Sequence, residues 1–294
     1  MKIFIPILTL IAATAVPAQI LRGVVDIHMH SDPDSVPRSI DAFGAVRAAA
    51  AAGERAVVLK NHYDPTAGLA WLVSNQVPGI VVYGGIALNL TVGGINPHAV
   101  EHMTKVKGGL GRVVWMPTFD SENQVRFNKE TRASVSVSRG GALLPAVKEV
   151  IAIIAKNNLV LATGHSTAAE DVLLVKEARA RGVKHIVVTH GMLAPISMAT
   201  AQMKEAAAMG AYIEFVSNAV IGKTQTIKAE DYWKAIREVG PAHCIISSDF
   251  GQAGNPIHPD GLAQMFAALR KAGFSQAEVD QMSKANPAKL LGLA

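Results

Sequence analysis

Histidine and acidic side chains recur in this sequence at spacings that suit metal chemistry. His28 and His30 form a His-x-His pair, and Lys60 and His62 repeat that spacing. Single histidines follow in Thr163-Gly164-His165-Ser166 and Val188-Thr189-His190-Gly191, and Asp249 completes the series in Ser247-Ser248-Asp249-Phe250. Residues two apart on a strand point to the same side, so both rings of a His-x-His pair can reach one site. Imidazoles with one carboxylate and no thiolate make a site for one or two divalent ions, zinc first among them, with positions left open for water. A lone buried histidine is more often a hydrogen-bonded core residue. Five such side chains (His28, His30, His165, His190 and Asp249) at the ends of four β-rich runs are expected to be metal ligands.

The runs that must carry these residues are short and apolar, as parallel strands buried on both faces are. The pattern predicts strands at Val24–His28, Ala56–Lys60, Ile80–Gly84, Val113–Met116, Val160–Thr163, His185–Thr189, Ala211–Val216 and Cys244–Ser248. Ala-rich helices fall between them, including Asp41–Ala52 and Ala168–Arg181, and the chain ends with Pro259–Ala272 and Ser275–Lys284. Ser275-x-x-Glu278 reads as a capping box, and Gly53, Gly182, Gly210 and Gly240 stand where helices need a left-handed cap. Eight strand–helix units with no linker imply an α/β protein: one (β/α)8 TIM barrel over residues 19–294, its metal site at the C-terminal ends of the strands. A doubly wound open sheet is the alternative, but no G-x-G-x-x-G or Walker loop supports it.

The residues at these strand ends resemble the amidohydrolase superfamily of metal-dependent TIM barrels, which carries His-x-His on the first strand, His on the fifth and sixth and Asp on the eighth. Asn286-Pro287-Ala288-Lys289-Leu290-Leu291-Gly292 is similar to an ending frequent in those enzymes. The resemblance runs from Val24 to the C-terminus. It implies a hydrolase in which His28, His30, His165, His190 and Asp249 hold one or two ions and Asp249 takes a proton from activated water. The bond cleaved would be an amide, lactone or ester of a small substrate. Binuclear relatives also carry a carbamylated Lys or a Glu on the fourth strand, and this chain departs from that pattern. Its fourth strand has no Lys, only Asp120 with the parity of Val114 and Met116. Lys60 could be a displaced, carbamylated bridge, a cation that binds a substrate carboxylate, or a partner of Glu214. A site with one ion and a site with two both stay open; with one, His190 could polarise water or substrate. Two other functions fit the same residues: non-oxidative decarboxylation of an aromatic or enoic acid, and a non-catalytic metal- or ligand-binding barrel.

His62, Arg38, Asn89, Asn218 and His258 are expected to contact substrate. The polar stretch Ser121–Gly141 reads as a long loop or lid. His98, His102, His185 and His243 read as surface or helix-end residues. Composition narrows the partners. Half of the 294 residues are hydrophobic and the net charge is only +5, with no long run of Lys or Arg, so disorder and nucleic-acid binding are excluded and an acidic small molecule suits. The single cysteine, Cys244, rules out an internal disulfide. Residues 1–18 have the layout of a secretory signal peptide: Lys2, an apolar run from Ile3 to Val16, then Val16-Pro17-Ala18 before Gln19. That run is too short to span a bilayer. The protein is therefore expected to be exported to the periplasm or medium, with no stable membrane insertion after cleavage; a homo-oligomer stays open.

Overall fold

Runs such as Ala-Val-Val-Leu and Cys-Ile-Ile-Ser have no polar side and need cover on both faces. The structure, a computed structural model, describes residues 21–293, so the expected signal segment at 1–18 lies outside the described residues. The strands are β1 (Val25–Met29), β2 (Ala56–Leu59), β3 (Val81–Ala87), β4 (Gly111–Trp115), the two-residue β5 (Ser138–Arg139) and β6 (Ala142–Leu143), β7 (Val160–Ala162), β8 (His185–Val188), β9 (Tyr212–Val216) and β10 (Cys244–Ser247). Eight of them form one parallel sheet in the order β1-β2-β3-β4-β7-β8-β9-β10, while β5 and β6 pair as a separate antiparallel hairpin. The sheet closes on itself where Asp249 N donates to His28 O at 2.8 Å and His30 N donates to Phe250 O at 3.0 Å. This is the expected (β/α)8 barrel. The strand boundaries fall close to the predicted ones, except that β3 runs on to Ala87.

Helices α1 (Ala42–Ala51), α2 (Ala67–Ser74), α3 (Pro97–Met103), α4 (Glu122–Phe127), α5 (Pro145–Lys156), α6 (Ala168–Ala180), α7 (Thr200–Ala208), α8 (Ala229–Val239) and α9 (His258–Lys271) surround the sheet, followed by α10 (Gln276–Asp280) and α11 (Asn286–Leu291). No described helix is long and apolar enough to cross a membrane. The Ser275–Glu278 capping box is present, the predicted final helix divides into α10 and a π turn over Gln281–Ala285, and a further helix, α11, follows it.

Outward-facing Val57, Leu59 and Val82 pack on α1 and α2 in one cluster, and Val114, Met116, Ile186 and Ile213 join the helices on the other side. Inward-facing Val25, Ala56, Val58, Val113, Trp115, Ala162, Val187 and Ile245 form the floor beneath the strand ends with Leu290 and Leu291 of α11. The Arg112 guanidinium ties α11 to the start of β4 by two bonds to Leu291 O, at 3.0 and 2.7 Å. That floor is apolar; the polar residues stand above it.

A candidate metal centre at the strand ends

Two local features aim the His-x-His pair. The register of β1 on β2 shifts between Asp26 and Met29, so Asp26 lies opposite Val57 and Met29 opposite Leu59. Such a bulge re-aims side chains, here leaving His28 and His30 together on the inner side. Close approach of the backbone does the rest. A Cβ on Gly164 (φ +67°) would sit 2.3 Å from Met116 O, and one on Gly251 (φ +126°) 2.3 Å from His30 O. Only glycine lets the chain pass there, and these positions adjoin His165 and Asp249.

His190 (φ +26°) and Asp249 (φ +50°) are themselves in the left-handed region, which costs a residue with a side chain about 1–3 kcal/mol. Bonds from neighbouring strands hold them there. His190 N donates to Glu214 Oε2 at 3.0 Å, and Asn218 Nδ2 donates to Asp249 O at 2.8 Å.

The rings form a closed circuit, with centroids separated by 5.1 Å (His28–His30), 4.9 Å (His30–His62), 5.9 Å (His62–His165), 5.0 Å (His165–His190) and 5.8 Å (His190–His28). All five are buried. Within this circuit, one ligand atom each from His28, His30 and Asp249 lies within 4.8 Å of the others. Asp249 Oδ1 is 3.2 Å from His28 Nε2 and 3.0 Å from His30 Nε2.

Protonation of His28 follows from its partners. Its Nδ1 faces Glu214 Oε1 at 3.0 Å, and a carboxylate only accepts, so Nδ1 carries the proton and Nε2 offers its lone pair. Lys60 Nζ, 2.8 Å away, donates to that lone pair. Nδ1 of His165 likewise bonds Gln124 Oε1 at 2.8 Å, leaving Nε2 buried without a partner. Buried orphaned donors or acceptors are costly, and His30 Nδ1 and His190 Nδ1 are in the same condition. A cation among these nitrogens would relieve such a cost at His165 Nε2, so the residues present fit a divalent ion.

Burial also favours the neutral form of His30, His165 and His190, as ligation requires. It pushes His30 and His165 well below the ordinary histidine range, and His190 to about 4. Burial lowers Lys60 to about 8 against the opposing pull of Asp249 and Glu214. Although burial alone would raise them, His28 and the other rings hold Asp249 well below the carboxylate range and Glu214 below it.

Several sequence expectations need correction. The inner face of β4 carries Val113 and Trp115, while Val114 and Met116 pack outward, so Asp120 does not share an inward parity. Instead Asp120 accepts from Leu90 N at 2.9 Å and from the Arg132 guanidinium at the mouth. Trp115 takes the inner place on β4, 5.5 Å from Lys60 Nζ. Lys60 bonds His28 rather than Glu214. Asn89, expected to contact substrate, spends its amide inside the protein: Thr118 N and Asp120 N use its oxygen, and His62 O and Thr118 Oγ1 use its amide protons. His258 is fully buried, and its Nε2 braces His30 O and Phe250 O at 2.8 and 2.9 Å. Asn218 binds the main chain of Asp249. Arg38 is paired with Asp34 at 2.6 Å, its side chain buried and its charge depressing the pKa of His30 and His62 after burial has done most. The stretch Ser121–Gly141 is structured, containing α4 and the start of the β5–β6 hairpin.

One contributor is hidden in the sequence: Gln124 lies in the stretch that reads as a loop and has no motif to flag it. Glu214, expected only as a partner for Lys60, is instead the partner of His28.

Comparison with known proteins places these features in context. A family model described as a family of unknown function (DUF6282) matches residues 23–214. No curated protein matches the sequence. Among solved structures, an amidohydrolase from Pseudomonas aeruginosa has a TM-score of 0.64 at 13% identity, covering 94% of this chain and 98% of its own. An organophosphorus hydrolase from Deinococcus radiodurans gives 0.63 at 17%, covering 94% of each chain. A 2,6-dihydroxybenzoate decarboxylase from Rhizobium gives 0.57 at 14%, covering 92% and 99%. At these identities the likeness is one of fold.

Proposed function

Because the chain belongs to a family of unknown function (DUF6282), its activity has to be read from its own residues, and we propose that it is a metal-dependent hydrolase of an amide, lactone or ester bond in a small acidic substrate. The observation that carries this reading is the His28–His30–Asp249 cluster, with the proton of His28 turned away toward Glu214. The names of the structural neighbours, an amidohydrolase and an organophosphorus hydrolase, support the same class. His28, His30 and Asp249 would hold one ion, zinc first among candidates, with His165 and His190 as further ligands.

Such an ion supplies Lewis acidity and brings the pKa of a bound water from 15.7 to about 7. The chain's own groups do the remainder. Asp249 Oδ1 faces the two ring nitrogens, at 3.2 and 3.0 Å, so Oδ2 is the oxygen that can take the proton and return it to the leaving group. Glu214 keeps His28 in the ligating tautomer, and Gln124 does so for His165. The low exposure of the imidazoles excludes bulk water, which strengthens every charge interaction inside.

Decarboxylation of an aryl or enoic acid is the second reading. It is favoured by the clustering of only three described ligand residues and by the name of the Rhizobium neighbour. An anomalous-scattering map of the purified protein, followed by a panel of lactones, amides, esters and aryl carboxylic acids, tests both. One ion among His28, His30 and Asp249 with turnover of a hydrolysable ester, lactone or amide is expected. Turnover of the aryl acids alone would give the decarboxylase, and metal without any turnover the binding barrel.

Lys60 we assign to the substrate's negative group. Even at about 8 its amine is mostly an ammonium at pH 7. Lys60→Met is expected to raise KM roughly tenfold or more, the worth of a hydrogen bond to a charged group, with metal content unchanged. Loss of one equivalent of metal would instead mark Lys60 as a carbamylated bridge between two ions.

Export is part of the proposal, supported by the apolar run from Ile3 to Val16. Protein from the native host should begin at Gln19. Intact Met1 on cytoplasmic protein would end that idea.

A further inference from the structure

His62 stands in the ring circuit but is set differently from its neighbours, and the difference originates in Asn89. The Asn89 amide has one possible orientation, because Oδ1 accepts from Thr118 N at 2.9 Å and Asp120 N at 3.2 Å. Its Nδ2 therefore donates, to His62 O at 2.6 Å and Thr118 Oγ1 at 2.7 Å. Thr118 is fully buried. Its hydroxyl already accepts from Asn89, so its own proton needs an acceptor, and leaving it without one would cost about 1–3 kcal/mol. The remaining partner among the described residues is His62 Nδ1, at 3.0 Å. Nδ1 accordingly accepts, and a neutral imidazole that accepts at Nδ1 carries its proton on Nε2.

That Nε2–H has no partner among the described residues. Stacking fixes the ring that bears it: Phe119 covers one face at 3.5 Å and 11°, and His30 lies at 4.9 Å and 20°. His165 is 5.9 Å away. His62 thus sits between two candidate ligands with a rigid donor and no lone pair to offer at Nε2. His28 is the opposite case, since a carboxylate holds its Nδ1 proton and frees its Nε2.

We propose that the Asn89–Thr118–His62 relay makes His62 a hydrogen-bond donor to an anionic oxygen of the substrate, a carboxylate or the oxyanion that develops during hydrolysis, and that His62 is not a metal ligand. The proposal rests on the metal-dependent reading above. A fixed donor of this kind costs no reorganisation when negative charge appears, which is the basis of oxyanion stabilisation. It also gives Thr118, at the end of the strand that lacks a lysine, a defined task.

The test uses full-length protein with 15N-labelled histidine, loaded with 113Cd, and NMR signals assigned by their loss in single variants. The expected result is a proton on Nε2 of His62, metal splitting at His28 and His30, and none at His62. In Thr118→Val, with folding checked by circular dichroism, the proton should redistribute between the two nitrogens. Inorganic phosphate serves as the oxyanion probe for zinc-loaded protein in calorimetry. His62→Phe, which keeps the stack and removes the donor, should weaken phosphate by about tenfold or more, and His62→Gln should recover part of the loss. Cadmium splitting at His62, a proton on Nδ1, or phosphate affinity unchanged in His62→Phe would each overturn the inference. Absence of cadmium binding to the wild type would overturn the metal-dependent reading itself, so the two failures are told apart.

Discussion

Asp249→Asn is expected to lower kcat by about 10²–10⁴, the worth of general acid–base catalysis, while substrate still binds. The substitution keeps size and an oxygen near His28 and His30, but an amide cannot take a proton. Asp249 is the acidic member of the cluster, and its Oδ1 already lies 3.2 and 3.0 Å from the two ring nitrogens. Its strained backbone is held by bonds to its main chain from Asn218 and Gln252, neither of which the substitution disturbs. The measurement is steady-state kinetics on whichever member of the substrate panel the wild type turns over, with metal content read in parallel. The wild-type rate should fall as the pH drops through the titration of the activated water, at about 7, and fall further when the carboxylate protonates, which comes later because the fold keeps this carboxyl well below the ordinary range. Full activity in the Asn variant on any such substrate would sink the mechanism.

His28→Ala and His165→Ala should each strip metal from the protein, and His243→Ala should not. Changing a group that only orients a ligand typically costs 10–100-fold in metal affinity, so deleting a ligand should exceed about 100-fold. Glu214→Gln belongs to the orienting class, because its Oε1 holds the Nδ1 proton of His28, and a loss of about 10–100-fold is expected there. His28→Ala also leaves the buried Lys60 ammonium and Glu214 carboxylate without their shared partner. Part of its effect will therefore be a lowered Tm, and His165→Ala is the cleaner of the two. His243 lies exposed at the entry to β10, away from the strand ends. Mass-spectrometric metal analysis after dialysis separates the outcomes. Equal metal in all three alanine variants would mean that the site lies elsewhere.

The residue types and spacing sufficed for the barrel, for the ends of its strands and for the positions of His28, His30, His165, His190 and Asp249. These are local properties. A strand's alternation and a helix's caps are written in neighbouring residues, and eight repeats of strand and helix leave one economical closure. Alternation failed where the backbone departs from regularity. Past Pro117 alternation does not give the side of Asp120, and on β4 it is Val113 and Trp115, not Val114 and Met116, that face inward. What each ring does was decided only by the tertiary structure. His28 takes its proton orientation from Glu214, 186 residues away, and His30 meets Asp249 across 219. Gln124 reaches His165 from a helix that reads as loop, and Asn89, which looks like a substrate contact, is consumed in fixing Thr118 and His62. An imidazole's tautomer is set by the donor or acceptor that meets its second nitrogen, and that partner is brought by barrel closure rather than by chain proximity.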